Sequence, residues 1–241
     1  MHAHEVYLLY MQNFRQCPSP DTEIFIAELQ KAIDDGKVKF DVLSRVDKNS
    51  TGIHGHSAWY SLKSNLPITL EGKDVYTWNS LLVYTTPLIS SFPALYTFLK
   101  KFADQENSIV RRIAIVGLRA EGEVLPHIDG GAYYARTNRY HLVLVSPNGS
   151  EFSSGDERTV LKEGELWWFD NKKQHSVKNL SDALRVHVIF DILPKSRLSF
   201  IQRVKLHLFE FCFQGLYDEM DRDEFLRLIE RNPFLAKIFM L

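Results

Sequence analysis

The segment GELWWFDNKKQHSVKNLSDALRVHVIFDIL, residues 164–193, decides the fold. It divides into short runs at 165–170, 174–178 and 184–193, separated by Asn, Lys, Asp and Ser. Aromatic and β-branched residues dominate these runs, and they suit a pleated, half-buried surface. The same texture extends upstream through IVRRIAIVGL at 109–118, RYHLVLVS at 139–146 and a run at 158–162. Several short strands at close spacing predict a sandwich or barrel and argue against a βαβ fold.

Outward from this block the periodicity becomes helical. Residues 20–36 carry a stripe of Ile24, Ala27, Leu29 and Ile33 between Pro20 and Gly36, which predicts a helix. The alternation in KVKFDVLSRV, 37–46, predicts a strand, and 48–65 reads as loop with a strand near 58–62. A second helix is expected after Ser90-Ser91, with a Ser N-cap ahead of Pro93, running to about Ala103. Beyond Pro194, helices are expected over 197–217 and 222–231, the latter opened by Asp221 and Glu224 as a capping box. Their apolar faces (Leu198, Ile201, Val204 and Leu208 in the first) suit packing on the β region, with a homodimer surface or a substrate lid as alternatives.

Composition narrows the function classes. The 241 residues are 45% hydrophobic and 24% charged with a net charge of −1, ordinary values for a globule with a core. That balance gives no electrostatic case for nucleic acid or an anionic membrane. Two cysteines, Cys17 and Cys212, cannot build a disulfide framework. No apolar run approaches the ~20 residues of a membrane span, and Met1–Glu5 shows no basic-then-apolar leader, so a cytoplasmic protein is expected.

The chemistry centres on His127-Ile128-Asp129. On a strand, residues i and i+2 share a face, so the imidazole and carboxylate can converge. Alone the motif is weak, since about 0.6 His-x-Asp matches arise by chance at this composition. His175 follows downstream at the start of a strand-like run. Two His and one carboxylate with open positions form the facial triad of non-haem Fe(II) oxygenases. Arg185, ten residues beyond His175, suits a bidentate bridge to a dicarboxylate. His187 shares its face by alternation, and Arg139 with His141 forms another same-face pair.

In this order and spacing, the segment from about Tyr84 to Pro194 resembles the aspartyl/asparaginyl β-hydroxylase family, including its bacterial proline-hydroxylase-like members. The matching text is TTPLISSFPAL at 85–95, RRIAIVGLRAEGEVLPHID at 111–129, RYHLVL at 139–144 and GELWWFDNKKQHSVKNLSDALRVHVIFD at 164–191. The resemblance implies a mainly β fold, a double-stranded β-helix of the jelly-roll or cupin kind, with flanking N-terminal and C-terminal helices. It implies Fe(II) on His127, Asp129 and His175, with the distal carboxylate of 2-oxoglutarate on Arg185. Arg139 and His141 would lie near the metal-proximal carboxylate. The implied reaction consumes O2, hydroxylates a C–H bond and releases succinate and CO2, with ascorbate as a stimulant. Some animal members have Gly at the carboxylate position; Asp129 completes the set here and argues against a halogenase, which needs that position free. Val116 stands where some relatives place a hydroxyl that helps hold the co-substrate.

Two segments are candidates for holding the substrate, a small molecule or a peptide. One is GIHGHSAWYS at 52–61, where His54 and His56 form a same-face pair that also suggests a second metal site. The other is GGAYYARTN at 130–138, where Tyr134 and Arg136 lie close to the metal motif in sequence. The expected organisation is an N-terminal α/β flank over 1–74, the oxygenase core over 75–194 and a helical segment over 195–241. A metal-binding or interaction module of cupin type without turnover is the competing reading; it has no need of Arg185.

Overall fold

Alternation along residues 185–194 sets the architecture. Val186, Val188, Phe190 and Ile192 enter one hydrophobic core, which leaves Arg185, His187, Ile189 and Asp191 on the opposite face. The computed structural model describes residues 11–40, 52–65, 68–70, 73–75, 83–204, 206 and 231. In chain order its strands are β1 (Phe14–Cys17), β2 (Ser57–Asn65), β3 (Ile68–Leu70), β4 (Lys73–Val75), β5 (Val83–Thr85), β6 (Ser108–Leu118), β7 (Glu123–His127), β8 (Asn138–Val145), β9 (Ser150–Ser154), β10 (Glu157–Thr159), β11 (Leu166–Phe169), β12 (His175–Asn179) and β13 (Arg185–Pro194). The helices are α1 (Glu23–Asp34), α2 (Pro93–Gln105) and the short α3 (Ala132–Arg136), with 3-10 turns at Pro87–Ser91 and Lys195–Arg197.

Seven strands form the larger sheet in the order β1-β11-β8-β13-β6-β2-β5, and four form the smaller in the order β10-β9-β12-β7; β3 and β4 make a separate hairpin. The strand pairings are antiparallel. The inner faces meet through Phe14, Leu118, Val143, Trp167 and Phe169 of the larger sheet and Phe152 and Val177 of the smaller. This two-sheet, mainly β arrangement is the expected double-stranded β-helix. The outer face of the larger sheet is covered by α1 and α2, whose Phe25, Leu29, Leu95, Leu99 and Phe102 pack on Ile113, Ile115, Leu142, Val188 and Phe190. Each such buried side chain contributes roughly 1.5–3 kcal/mol.

Local chemistry departs from the sequence reading in several places. Residues 37–40 are not strand: Gly36 takes φ +69, Lys37 N–H donates to Ala32 O at 2.9 Å, and the chain folds back to bury Val38. Residues 41–46 of that expected strand lie outside the described residues. The N-terminus of α2 is capped from another helix rather than by serine. Ser90 and Ser91 lie in the 3-10 turn, while the Glu28 carboxylate accepts from Ala94 N–H at 2.6 Å and Leu95 N–H at 3.1 Å. The expected division at 74/75 runs through the larger sheet, since β1 and β2 precede it.

At the C-terminal side, Leu198 and Leu206 are buried while Phe200, Ile201 and Val204 are exposed. Most of the two helices expected there, with the 221/224 capping box and any homodimer surface they form, lies outside the described residues. No helix among the described residues is long and apolar enough to cross a membrane.

Candidate metal centre

The smaller sheet brings the two candidate histidines together. β7 and β12 pair so that His127 and His175 are direct cross-strand partners, with ring centroids 4.2 Å apart. Their Nδ1 atoms are engaged by backbone carbonyls, His127 with Leu125 O at 2.8 Å and His175 with Lys173 O at 3.0 Å. A carbonyl can only accept, so each Nδ1 carries a proton and Nε2 is the ring atom left to face a metal. Burial pushes the His175 pKa down to about 4, against the raising effect of the Lys173 carbonyl and Asp129.

Asp129 lies two residues past the end of β7, so it does not share a strand face with His127 as the i, i+2 reading expected. Its position is set by contacts instead. Its N–H donates to Asn171 O at 3.0 Å, and its Oδ2 accepts from Arg139 Nη1 at 2.7 Å and Asn171 Nδ2 at 3.0 Å. Oδ1 has no donor among the described residues. One ligand atom each from His127, Asp129 and His175 lie within 4.8 Å of one another, and among the described residues this is the group able to hold a metal ion. Two imidazoles and a carboxylate on one side fit Fe(II) with open positions.

Arg139 is the hub behind the cluster. Beyond Asp129, it bridges Asp191 in bidentate fashion, Nε to Oδ1 at 2.8 Å and Nη2 to Oδ2 at 3.0 Å. The same Oδ2 accepts from Tyr133 Oη at 3.0 Å and Arg112 Nε at 3.3 Å. Burial alone would raise the Asp191 pKa, but Arg139, Arg112 and the Tyr133 hydroxyl hold it below the ordinary carboxylate range. Sequence reasoning missed Asp191, Arg112 and Asn171. Asp191 lies six residues past Arg185 on the same face, a signal the alternation did contain; Asn171 gave none.

Further along the inner face lies Arg185, 5% exposed. Burial alone lowers its pKa to about 9. Its single hydrogen bond among the described residues is from Nη2 to His187 Nδ1 at 3.1 Å, and His141 Nδ1 lies 3.2 Å from that same nitrogen. Because the guanidinium can only donate, His187 Nδ1 accepts and its proton sits on Nε2, which is buried without a partner among the described residues. Burial first and the Arg185 charge second keep the pKa values of His141 and His187 well below the ordinary imidazole range. Val116 is the cross-strand partner of His187.

The remaining candidates divide. His54 lies beside the cluster, its ring centroid 4.9 Å from that of His127. His56 is turned to the backbone, its Nδ1 accepting from Glu123 N–H at 3.1 Å, which straps the 52–56 loop to β7. The two do not form a second metal group among the described residues. The Tyr134 ring lies under two guanidiniums, with Arg112 Cζ 4.7 Å and Arg139 Cζ 4.9 Å from its centroid. Arg136 ends α3, and its carbonyl accepts from Arg197 Nη1 at 3.0 Å.

The match to a protein family agrees with this geometry. A family model described as aspartyl/asparaginyl beta-hydroxylase matches residues 27–194, more than two thirds of the chain. Among solved structures, an oxidoreductase of the 2OG-Fe(II) oxygenase family from Burkholderia pseudomallei is 11% identical, covering 80% of this chain and 89% of its own, with a TM-score of 0.48. A prolyl-4-hydroxylase from Pseudomonas putida is 10% identical, covering 81% of this chain and 100% of its own, with a TM-score of 0.47. A viral collagen prolyl hydroxylase from Paramecium bursaria Chlorella virus-1 is 12% identical over 75% of this chain and 96% of its own, with a TM-score of 0.46. The chain belongs to the aspartyl/asparaginyl β-hydroxylase family.

Proposed function

We propose that this protein hydroxylates an unactivated C–H of an amino acid, either free and proline-like or an Asp, Asn or Pro residue in a peptide, with release of succinate and CO2. The observation that carries the reading is Arg185, a buried guanidinium with one neutral hydrogen-bond partner and no carboxylate among the described residues. A desolvated cation of this kind is stabilised by an anionic ligand that can meet it with two oxygens. 2-Oxoglutarate would bring a carboxylate to Arg185. A binding module without turnover has no use for such a cation.

His127, Asp129 and His175 would hold Fe(II), which with 2-oxoglutarate and O2 supplies the oxidising chemistry. The chain's own residues orient that centre. Arg139 and Asn171 hold Oδ2 of Asp129, and the Leu125 and Lys173 carbonyls fix both histidine tautomers. His141, stacked on Phe152 with ring centroids 5.2 Å apart, is held neutral by burial and would face the co-substrate in that state. Ascorbate would sustain turnover by keeping the iron reduced.

The test is succinate formation from 2-oxoglutarate by the purified protein with Fe(II), ascorbate and O2. It is run alone and with free amino acids and Asp-, Asn- and Pro-containing peptides, beside His175→Ala. Turnover in the wild type that is lost in the variant is expected. No turnover together with no Fe-dependent 2-oxoglutarate binding would overturn the reading in favour of a cupin-like metal-binding or interaction module.

A further inference from the structure

A cavity of about 210 Å³ opens on the inner face of the larger sheet, between β2, β6, β8 and β13; Trp59, Ser61, Ser64, Arg112, Arg139 and Ile189 are among its lining residues. It shares a wall with the metal centre, because the Arg139 guanidinium that lines it also donates to Asp129 at 2.7 Å. It lies away from Arg185, since Ile189 and Asp191 are four and six residues further along β13, roughly 14–20 Å at 3.4 Å per residue. The cavity is smaller than the ~300–1,000 Å³ pockets of drug-sized ligands, a size suited to one amino-acid residue.

Arg112 gives the cavity its chemistry. Its Nε reaches Asp191 Oδ2 at 3.3 Å, but that oxygen already accepts from Tyr133 and from Arg139, both at 3.0 Å. Neither Nη of Arg112 has an acceptor among the described residues, and Nη2 is buried. The guanidinium is nevertheless held in place, packed against the rings of Tyr133 and Tyr134 with Cζ 4.4 and 4.7 Å from their centroids. A fixed, under-used guanidinium edge beside a small cavity is a preorganised carboxylate anchor.

We propose that this cavity is the substrate site, in which Arg112 binds a carboxylate of the amino-acid substrate while Trp59 and Ile189 pack against its apolar part. The proposal rests on the hydroxylase reading above and names which substrates that site takes. The carboxylate is either the α-carboxylate of a free amino acid or the side chain of an aspartyl residue in a peptide.

The experiment pairs acids with their amides. Fe-dependent 2-oxoglutarate binding to the wild type is measured first by calorimetry; its absence would sink the hydroxylase reading itself. In one arm, free L-amino acids, L-proline included, are compared with their carboxamides. In the other, Asp-containing peptides with blocked termini are compared with their Asn counterparts. The readout is stimulation of succinate formation as kcat/KM. Wild type is expected to favour the acid by about 10- to 100-fold, the range of a charge-assisted hydrogen bond. Arg112→Gln is expected to bring the ratio within about threefold, and Arg112→Lys to restore a preference for the acid. Acid and amide used alike by the wild type would overturn the proposal, whether or not Arg112→Gln folds. So would a preference that survives in a folded Arg112→Gln, or no stimulation by any acid in either arm in an enzyme that binds 2-oxoglutarate.

Discussion

Replacing Arg185 with Met separates a ligand-binding cation from a structural one. The side chain is buried, and burial alone takes its pKa from the ordinary arginine value down to about 9. That displacement corresponds to a penalty of about 5 kcal/mol on the charged form in the folded state. The sign follows from linkage. Below pH ~9 the folded protein carries the full penalty, and it is relieved as pH rises above that towards the ordinary arginine range, where the unfolded chain also loses its proton. At neutral pH the metal-free, ligand-free Arg185→Met protein should therefore be more stable than wild type. The gain is smaller than the full penalty, because the bond to His187 is lost and buried charges are partly relaxed; about 1–4 kcal/mol is expected. For a chain of this size, a gain of about 2 kcal/mol raises Tm by about 4–8 °C. Affinity for 2-oxoglutarate should move the other way, by about 10²–10³-fold, because one carboxylate loses a desolvated charged partner. Calorimetric unfolding without ligand and titration with 2-oxoglutarate in the presence of Mn(II) read the two effects. A variant that is less stable than wild type and binds 2-oxoglutarate equally well would refute the assignment.

Three other perturbations test the surrounding structure. Asp191→Asn leaves Arg139 and Arg112 without their shared anion, so a loss of about 3–5 kcal/mol in denaturant unfolding is expected. The same variant should bind metal about 10–100-fold more weakly by titration, because Arg139 no longer holds Asp129 in place; unchanged affinity would contradict that role. Acid should destabilise the metal-free protein: His141, His175 and His187 resist protonation when folded, chiefly through burial, but accept protons when unfolded. Stability should fall below pH ~6.5, by up to about 4 kcal/mol per pH unit near pH 5, and equal unfolding free energies at pH 7 and 5 would exclude this. Gly117→Val on β6 forces a side chain into the space held by the Phe40 ring; a loss of about 1–3 kcal/mol is expected in thermal unfolding, with no loss indicating that the ring relocates freely.

What the sequence disclosed of the fold follows from where the stabilising partners lie. The strands β6, β8 and β13 were legible because their apolar alternation is internal to the strand, as Val186, Val188, Phe190 and Ile192 show. β9, with the sequence SEFSS, carried no such pattern. Its Ser150 and Ser154 are buried, and Ser154 Oγ donates to Asp170 O at 3.1 Å, a partner from another part of the chain. The cap on α2 was misread for the same reason, since Glu28 reaches it from a different helix. Residues 37–40 alternate in hydrophobicity, yet the turn at Gly36 governs their path.

The site divides along the same line, and its charges explain why. His127, Asp129, His175 and Arg185 could be chosen as residue types at a spacing, whereas Arg112 and Asp191 acquire meaning only through the contacts they share. Arg139 joins Asp129 to Asp191, and Arg112 leans on Asp191, so two guanidiniums face two carboxylates in balance. Arg185 stands apart as one more buried cation. On the proposed reading, a divalent ion on Asp129 between neutral imidazoles adds two positive charges, and 2-oxoglutarate as a dianion removes two. One positive charge then remains among these groups, and Lys63 is a further cation in the cavity lining. The anion demand is least satisfied at Arg112: Arg185 would be bridged by the co-substrate and Arg139 is saturated by its two carboxylates, while neither Nη of Arg112 has an acceptor among the described residues. A substrate bearing a carboxylate at the Arg112 cavity meets that demand, whereas its amide leaves the guanidinium desolvated without an anionic partner.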